Sequence, residues 1–226
     1  MNNRVDREQL WARAKDELSS MTERLASLPN LDLSTLDPAQ TVLVIIDMNN
    51  GFAKSGSLYS DRISALIPGI VGLARQCRLQ GIPIVAYSDF HTDRSPELRS
   101  YPPHCMENSE EHLVINELQE VGIDRVIAKN STNGLMVHPE ANLLRGLGRG
   151  DERNLIIVGD CTDICIYQYA VTVKAFFNEG DIDARVIVPT NLVDTFDAPG
   201  HSADLMNVVF LNSMLANGVE VVASIR

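Results

Sequence analysis

The chain is predicted to form an α/β domain with a single doubly wound, mainly parallel sheet flanked by helices, preceded by an N-terminal helical extension. Strand-like and helical patterns alternate after about residue 40, which is typical of parallel sheets joined by right-handed crossovers. The strand-like runs are continuously apolar, as expected when helices cover both faces of the sheet. With 226 residues, 45% of them hydrophobic, the chain is long enough for one sizeable core. We therefore expect an extension of residues 1–40 and one domain of residues 41–226.

The extension contains one amphipathic helical pattern, predicted to span residues 5–28 and to end at Pro29 and Asn30. Apolar residues recur along it at alternating steps of four and three, which places them on one helical face. The members of this seam are Leu10, Ala14, Leu18, Met21, Leu25 and Leu28. A single seam does not identify the surface that it covers. Two interpretations therefore remain, packing on the domain of the same chain and packing on another subunit.

The domain contains six strand-like runs, and helical patterns separate most of them. The predicted strands are 42–46, 82–87, 125–129, 154–159, 184–188 and 219–223. The predicted helices are 61–79, 138–147, 163–178 and 201–217. One long irregular stretch, residues 88–109, follows the second strand. Loops of that length in a compact domain are usually functional or disordered.

Composition argues against several classes of function. The formal net charge of −11 disfavours nucleic acid or an anionic membrane surface as the main partner. The first 18 residues contain no apolar segment of the kind found in secretory signals, and no stretch approaches the ~20 apolar residues of a membrane span. The four cysteines do not have the density of a disulfide scaffold. We expect a soluble, acidic, cytoplasmic protein with reduced thiols.

Three reactive side chains stand at or just beyond the ends of predicted strands: Asp47, Lys129 and Cys165. Open α/β sheets bind ligands in the crevice outside the carboxyl ends of their strands, so a carboxylate, an ammonium and a thiol are expected to meet there. Such a set can activate a thiol nucleophile. Taken singly, each has an ordinary explanation, as a turn residue, a solvated lysine and an inert buried cysteine. Together they favour a cysteine hydrolase.

The predicted position of Cys165 also bears on its reactivity. Thr162 and Asp163 are favourable N-cap residues, which places Cys165 in the first turn of the following helix. A helix N-terminus and a nearby lysine both lower a thiol pKa, so a thiolate is favoured. Cys161 and Cys165 are separated by three residues, a spacing that argues against a thioredoxin-type redox pair.

The long loop supplies a candidate metal site. Its segment 89-DFHTDRSPELRSYPPHC-105 contains four side chains that could reach one point: Asp89, His91, Glu97 and His104. Imidazole nitrogen and carboxylate oxygen suit zinc, manganese or iron. The alternative is that polar loops are rich in such residues without binding an ion. Phe52 and Tyr101 are aromatic residues near these groups, for which core or rim packing is the simpler explanation.

Other polar motifs have weaker interpretations. The segment 146-GLGRG-150 follows a helical pattern instead of preceding one, so it is interpreted as a turn and not as a phosphate loop. His112 and His138 are expected at the surface, and His201 near the start of the last helix.

Together these segments resemble the isochorismatase-like cysteine hydrolase superfamily and, within it, the nicotinamidases (pyrazinamidases). The resemblance covers nearly everything from Val42 to Val222, and its specificity lies in the order and spacing of the motifs. These motifs are 44-VIIDMNNGF-52, 89-DFH-91, 101-YPPHC-105, 128-AKNSTNG-134 and 158-VGDCTDIC-165. The N-terminal 40 residues lie outside the resemblance.

The resemblance implies a role for each of the three reactive residues. Asp47 would be the catalytic acid and base, Lys129 the assisting cation and Cys165 the nucleophile. It also implies a cis peptide bond before Cys161, and an oxyanion hole formed by the backbone N–H groups of Cys161 and Cys165.

For the loop, the resemblance implies a metal centre beside an aromatic pocket. Asp89, His91 and His104 occupy ligand positions of the family. The candidate for a further ligand is Glu97, at a position where the family often has histidine. Phe52 and Tyr101 align with aromatic residues that sandwich a pyridine ring. Tyrosine stands here where tryptophan is common.

The implied function is that of an amidohydrolase that converts nicotinamide to nicotinate and ammonia through a cysteine thioester. The implied cofactor is a divalent metal ion, zinc, with manganese and iron as alternatives. The expected partner is a small-molecule amide, without nucleic acid or membrane, and the protein is expected to be a homo-oligomer. Other readings remain: another amide or ureido substrate with the same triad, isochorismate hydrolysis, and a non-catalytic scaffold or binding protein on this fold. A zinc-storage or redox-sensor role would leave Lys129 unexplained.

Overall fold

A computed structural model describes residues 6–137 and 153–226 of the chain. This described part contains nine strands: β1 (Asn30–Leu31), β2 (Thr41–Ile46), β3 (Ile84–Asp89), β4 (Arg125–Lys129), β5 (Asn154–Asp160), β6 (Arg185–Pro189), β7 (Val193–Asp194), β8 (Glu220–Val222) and β9 (Ser224–Ile225). It contains six α-helices: α1 (Arg7–Ala26), α2 (Asn50–Ala53), α3 (Asp61–Gln80), α4 (Asn116–Val121), α5 (Tyr167–Glu179) and α6 (Ala203–Ala216). A π-helical turn, Thr162–Ile166, precedes α5.

The main sheet has seven strands, and all of its pairings are parallel. Six strands follow the order β4-β3-β2-β5-β6-β8, and β7 pairs with the end of β5. The chain runs from β2 to β3 and β4 on one side, and then continues from β5 on the other side. This reversal of direction at β2 opens a crevice at the carboxyl ends of the central strands. The predicted parallel α/β sheet is therefore confirmed.

Helices cover both faces of the sheet, which explains why β2 is apolar along its whole length. Leu43 and Ile45 belong to the core layer that contains α3 and α4, whereas Val42 and Val44 belong to the layer that contains α5 and α6. All four side chains are fully buried. Burying a side chain of this kind contributes about 1.5–3 kcal/mol. The strand that leads to Asp47 is therefore firmly held from both sides.

The N-terminal helix α1 packs on its own domain through one half. Asp6 caps its start by accepting hydrogen bonds from two backbone N–H groups. Towards its end, Leu25 contacts the core layer of α6, and the side-chain amide of Asn212 donates to the carbonyl oxygen of Met21 at 3.3 Å. No residue of α1 is fully buried, and Trp11 near its start is 72% exposed. The first half of the helix therefore presents apolar side chains to solvent.

The residues after α1 are also attached to the domain. Strand β1 pairs in parallel with β9 to form a separate two-stranded ribbon. The buried side chains of Leu33 and Leu36 enter the core layer that contains α3. The extension is thus joined to the domain through a helix, a strand and two core residues.

The predicted elements correspond closely to the observed ones. All six predicted strands are present with small shifts at their ends, and α1, α3 and α6 occupy three of the predicted helical segments. The helix predicted at 163–178 is partly wrong, because it begins with the π-helical turn and becomes α-helical only at Tyr167. The short helices α2 and α4 have too few residues to show a helical period. The predicted helix 138–147, the turn 146–150 and His138 lie outside the described residues.

The expectations about membranes and thiols can also be compared with the structure. Among the described residues, no helix combines the length and the apolar character that a membrane crossing requires. All four cysteines are free and buried.

Candidate active site

The three reactive residues of the strand ends lie together in the crevice. Asp47 follows β2, Lys129 ends β4, and Cys165 lies in the π-helical turn after β5. The Nζ atom of Lys129 lies 2.8 Å from Oδ2 of Asp47 and 3.7 Å from Sγ of Cys165. All three residues are buried. The carboxylate, ammonium and thiol predicted from the strand ends are therefore in mutual contact.

The close approach of β5 to β2 depends on Gly159. Its partner in the parallel register is Ile46, the residue before Asp47, and its φ is 118°. A Cβ atom at this position would lie 1.9 Å from the carbonyl oxygen of Ile46. Only glycine adopts this conformation and leaves this space, so it determines the spacing of the strands that lead to Asp47 and Cys165.

Lys129 is shared by two buried carboxylates. Its ammonium group contacts Oδ1 of Asp89 as well as Asp47. Burial opposes the charge, but these two carboxylates raise the pKa of Lys129 well above its ordinary value. Burial also opposes ionisation of Asp89, but Lys129, His104 and His91 lower the pKa of Asp89. Lys129 and Asp89 are thus a charged pair at neutral pH.

Asp47 is in a different electrostatic situation. Burial, followed by repulsion from Asp89, raises the pKa of Asp47 to about 7, and the attraction of Lys129 offsets only part of this. A general acid or base works best when its pKa lies near the operating pH. Asp47 can therefore both accept and donate a proton.

The prediction of a thiolate at Cys165 is wrong. Burial raises the pKa of the Cys165 thiol well above its ordinary value, although Lys129 lowers it. The residue also lies in a π-helical turn and not in the first turn of an α-helix. The sequence indicates the neighbouring charge but not the desolvation, which is the larger effect here. The Cys165 thiol is therefore neutral at rest, and formation of its thiolate requires a base.

The backbone before Cys165 has the predicted form. The peptide bond between Asp160 and Cys161 is cis. The N–H groups of Ile164 and Ile166 then both donate to the carbonyl oxygen of Cys161 at 3.1 Å. These bonds close the turn on which Cys165 reaches the pocket.

The four predicted metal ligands also lie together. One ligand atom from each falls within 4.8 Å of the others, in the set Asp89, His91, Glu97 and His104. The N–H group of His91 donates to the carbonyl oxygen of Cys105 at 3.0 Å, which folds the long loop back on itself. His104 is thereby returned to the end of β3.

The outer hydrogen bonds of the two histidines turn their Nε2 atoms towards Asp89, each 3.5 Å from its Oδ2 atom. Nδ1 of His91 lies 2.8 Å from Oδ1 of Asn130, and Nδ1 of His104 lies 2.8 Å from the carbonyl oxygen of Pro102. These acceptors place the hydrogen on Nδ1, as is usual for metal-binding histidines. Among the described residues, the buried Nε2 of His91 has no hydrogen-bond partner. Two imidazoles, two carboxylates and an unpaired buried nitrogen fit a divalent cation.

A pocket opens between these four candidate metal ligands and Cys165. Its apolar lining consists of Phe52, Leu58, Ile63, Tyr101, Ile164 and Phe196. Its polar lining consists of Asp89, Glu97, His104, Thr132, Asp160, Cys161 and Cys165. The ring centres of Phe52 and Tyr101 lie 5.6 and 6.1 Å from that of His104, so both predicted aromatic residues lie beside the candidate metal ligands. Such a pocket suits a small, mainly apolar molecule with a few polar atoms.

Several pocket residues are absent from the prediction. Asp160 ends β5 and could have been found by the strand-end rule that identifies Asp47. Phe196 follows β7, whose two residues show no periodic pattern. Nothing in the sequence distinguishes Leu58 and Ile63 from ordinary core residues.

Comparison with known proteins identifies the family. The isochorismatase domain family matches residues 41–224. Nicotinamidase 1 of Arabidopsis thaliana is 28% identical over 209 residues, which cover 81% of this chain and 85% of that protein. The structure of the nicotinamidase PncA from Bacillus subtilis has a TM-score of 0.65 and 25% identity, covering 81% of this chain and 99% of that one. N-carbamoylsarcosine amidase from Thermoplasma acidophilum shares the fold, with a TM-score of 0.65, 22% identity and coverage of 80% and 95%.

The chain therefore belongs to the isochorismatase family, and it is a hydrolase of that family. The predicted resemblance is confirmed for the domain. Helix α1 precedes the residues that the family matches.

Proposed function

We propose that this hydrolase is a nicotinamidase, which converts nicotinamide to nicotinate and ammonia and thereby contributes to NAD salvage. The observation that carries the proposal is the contact of Lys129 with Asp47 and Cys165 beside a pocket that three of the four candidate metal ligands line. The similarity to Nicotinamidase 1 supports it. With a carboxamide at Cys165, a pyridine ring would extend towards His104.

In the proposed reaction, Asp47 accepts the proton of the Cys165 thiol, and Lys129 stabilises the thiolate that results. The thiolate attacks the carboxamide carbon and forms a C–S bond. The backbone N–H groups of Cys161 and Cys165 donate to the tetrahedral oxyanion, and losing one such donor typically costs about 10²–10³ in rate. Asp47 returns its proton to the departing nitrogen, so ammonia leaves and a thioester remains.

Hydrolysis of the thioester uses the same groups with water. Asp47, again ionised, accepts a proton from water while the water oxygen attacks the thioester carbon. The C–S bond then breaks, and the Cys165 thiolate recovers a proton from Asp47. Nicotinic acid leaves and ionises to nicotinate.

The four candidate metal ligands would orient the substrate. They would hold zinc, with manganese and iron as alternatives, and a bound ion would supply a Lewis acid for the pyridine nitrogen. Glu97 is fixed at the pocket because the N–H group of Thr132 donates to its Oε2 atom at 3.2 Å. Phe52 and Tyr101 would confine the ring, so that the carboxamide stays near the thiol.

The first test is ammonia release from nicotinamide by the purified protein, by Cys165→Ala and by chelator-treated wild type. We expect release by the wild type, none by the variant, and a loss on chelation that zinc, manganese or iron restores. Cys77→Val is the matched control, because Cys77 is another free, buried cysteine but belongs to α3 outside the pocket lining. Ammonia release by Cys77→Val should equal that by the wild type.

Each contrary result has a separate meaning. Release that persists in Cys165→Ala would contradict the thiol mechanism. Release that is insensitive to the chelator would retain the triad and remove the metal from the proposal. A wild type that releases no ammonia with any of the three metals would exclude nicotinamide as the substrate.

A second candidate is another amide or ureido substrate, because N-carbamoylsarcosine amidase shares the fold. The same thiol, acid and lysine would act on it. The candidate metal ligands and the aromatic residues beside them favour a heteroaromatic amide over an open-chain one. Ammonia release from N-carbamoylsarcosine, measured in the same assay, distinguishes the two candidates.

We further propose that the protein is a homo-oligomer in which α1 contacts a second copy. Leu10 and Trp11 are 49% and 72% exposed on the first half of this helix. Exposed apolar side chains that lie together commonly mark an interaction surface.

A further inference from the structure

A histidine outside the predicted site links two parts of the pocket. His201 lies directly before α6, whose N-cap is Ser202. Its Nε2 atom lies 2.8 Å from Oδ2 of Asp163, and its Nδ1 atom lies 2.8 Å from the carbonyl oxygen of Phe196. The imidazole also stacks on the ring of Phe196, with the ring centres 4.2 Å apart and the planes 8° from parallel. His201 therefore holds its two partners through three contacts.

The two hydrogen-bond partners of His201 determine its charge. A carboxylate and a carbonyl oxygen only accept hydrogen bonds, so both ring nitrogens must carry a hydrogen. Burial opposes this charge, but the hydrogen bonds to Asp163 and to the Phe196 carbonyl raise the pKa of His201 above its ordinary value. The contact with Asp163 is therefore an ion pair.

The other charged groups around His201 form a separate network. Arg62 of α3 lies within 3.0–3.7 Å of three carboxylates, on the segment before His201 and on α6: Asp194, Asp197 and Asp204. From the π-helical turn, the charged group that faces the imidazole is Asp163. The single charge of Arg62 thus offsets only part of the charge of these three carboxylates, and His201 pairs with Asp163.

Both partners of His201 belong to the frame of the pocket. Asp163 lies in the π-helical turn two residues before Cys165, and its side chain is only 6% exposed. Ile164, between them, lines the pocket, as does Phe196. The ion pair and the ring stacking therefore join the turn that carries the nucleophile to the wall that Phe196 forms.

We propose that His201 is a positioning residue that clamps the Phe196 wall onto the Cys165 turn and so sets the width of the pocket. The clamp itself does not depend on the proposed function, which enters only through the substrate used to test it. Lys129 and Asp47 contact Cys165 without His201. Loss of the clamp should therefore weaken substrate binding more than it slows the chemical steps.

His201→Phe tests the clamp, because it keeps a ring that can stack but removes both donors. In steady-state ammonia release from nicotinamide, KM should rise on the order of tenfold, as for the loss of two hydrogen bonds. The change in kcat should be much smaller. His112→Phe is the matched control, since His112 also bonds a backbone carbonyl, that of Met106, but lies outside the pocket. Its KM should equal that of the wild type.

Asp163→Asn separates the clamp from a merely structural role. The amide oxygen can accept from Nε2 as the carboxylate does, but the variant lacks the negative charge that raises the pKa of His201. In the wild type, KM should increase with pH as His201 loses its proton. In Asp163→Asn, this increase should occur at lower pH. Identical pH profiles of KM in the two proteins would overturn the proposal.

Alkylation of Cys165 by iodoacetamide tests the clamp without any substrate. A loosened wall exposes the buried thiol, so alkylation should be several-fold faster in His201→Phe than in the wild type or His112→Phe. Peptide mass spectrometry identifies the modified cysteine, and Cys165→Ala provides the blank. If nicotinamide is not hydrolysed, the proposed function fails, but this readout still decides the role of His201. Equal alkylation rates in the three proteins would refute the clamp.

Discussion

A single carboxylate, that of Asp89, connects the two halves of the site. Its Oδ1 atom contacts the ammonium group of Lys129, and its Oδ2 atom lies 3.5 Å from Nε2 of both His91 and His104. Asp47 approaches the same ammonium group from the other side. Lys129 is therefore the cation that allows two carboxylates to remain buried beside a thiol.

Replacement of this cation should affect stability and activity together. Lys129→Gln leaves Asp47 and Asp89 buried without their positive partner, and breaking a buried ion pair in this way typically costs about 3–5 kcal/mol. We expect a decrease of this size in the free energy of unfolding, measured with urea. Ammonia release should fall below detection, because the thiolate has lost its stabilising charge.

Lys54→Gln provides the comparison for this measurement. Lys54 pairs with Glu117, but their side chains are 39% and 40% exposed, and exposed ion pairs contribute about 0–1 kcal/mol. This variant should retain both activity and stability. A Lys129→Gln protein as stable as Lys54→Gln would show that the buried cation is not required for folding.

At the scale of the elements, α3 buries a thiol that takes no part in the site. Cys77 is fully buried on the core side of this helix, and burial raises its pKa to about 12. In the unfolded chain a cysteine has a pKa of about 8.5. The folded protein therefore retains a proton that the unfolded chain releases above about pH 8.5. Stability must decrease as the pH rises from about 8.5 towards 12.

Cys77→Val should make this alkaline loss of stability shallower. One group of this kind changes the free energy of unfolding by up to about 1.4 kcal/mol per pH unit within that interval. The free energy of unfolding of both proteins can be measured with urea at several pH values between about 7.5 and 10. This range includes the pKa of a cysteine in the unfolded chain, about 8.5. Plotted against pH, the free energies of unfolding of the two proteins should run parallel below about pH 8.5 and diverge above it. Parallel curves over the whole range would contradict the assigned burial effect.

The elements also differ in how far the sequence predicts them. The strands that lead to Asp47 and Lys129 are predictable because continuous apolar runs indicate a sheet buried on both faces. Phe196, Asp163 and His201 are brought together by a two-residue strand and a π-helical turn, neither of which has a periodic pattern. The protonation of Cys165 was predicted wrongly for a related reason, since the degree of burial follows only from the tertiary packing.

At the scale of the whole molecule, α1 is a long helix without a fully buried residue. Its second half packs on α6, whereas Leu10 and Trp11 are exposed at its start. The seam predicted from the sequence is thus used in part by the chain itself. The proposed contact with a second copy would cover Leu10 of this seam and the neighbouring Trp11.

Glutamate at both exposed positions should dissociate the proposed oligomer. We expect light scattering after size-exclusion chromatography to give the mass of an oligomer for the wild type and of a monomer for the variant with Leu10→Glu and Trp11→Glu. Ala12→Glu, an exposed substitution on the same helix, should leave the mass unchanged. A wild type that elutes as a monomer, or a double variant that keeps the mass of the wild type, would contradict the proposal.

The contact between Gly159 and Ile46 limits how this active site can change in evolution. A residue of any other type at position 159 would press its first carbon into the backbone of β2, and no smaller side chain exists to relieve it. Asp47 and Cys165 lie on two segments, and the distance between these segments depends on the absence of a side chain at position 159. New substrate preferences can therefore arise at the pocket wall, at Tyr101 or Phe196, while the distance between Asp47 and Cys165 remains invariant.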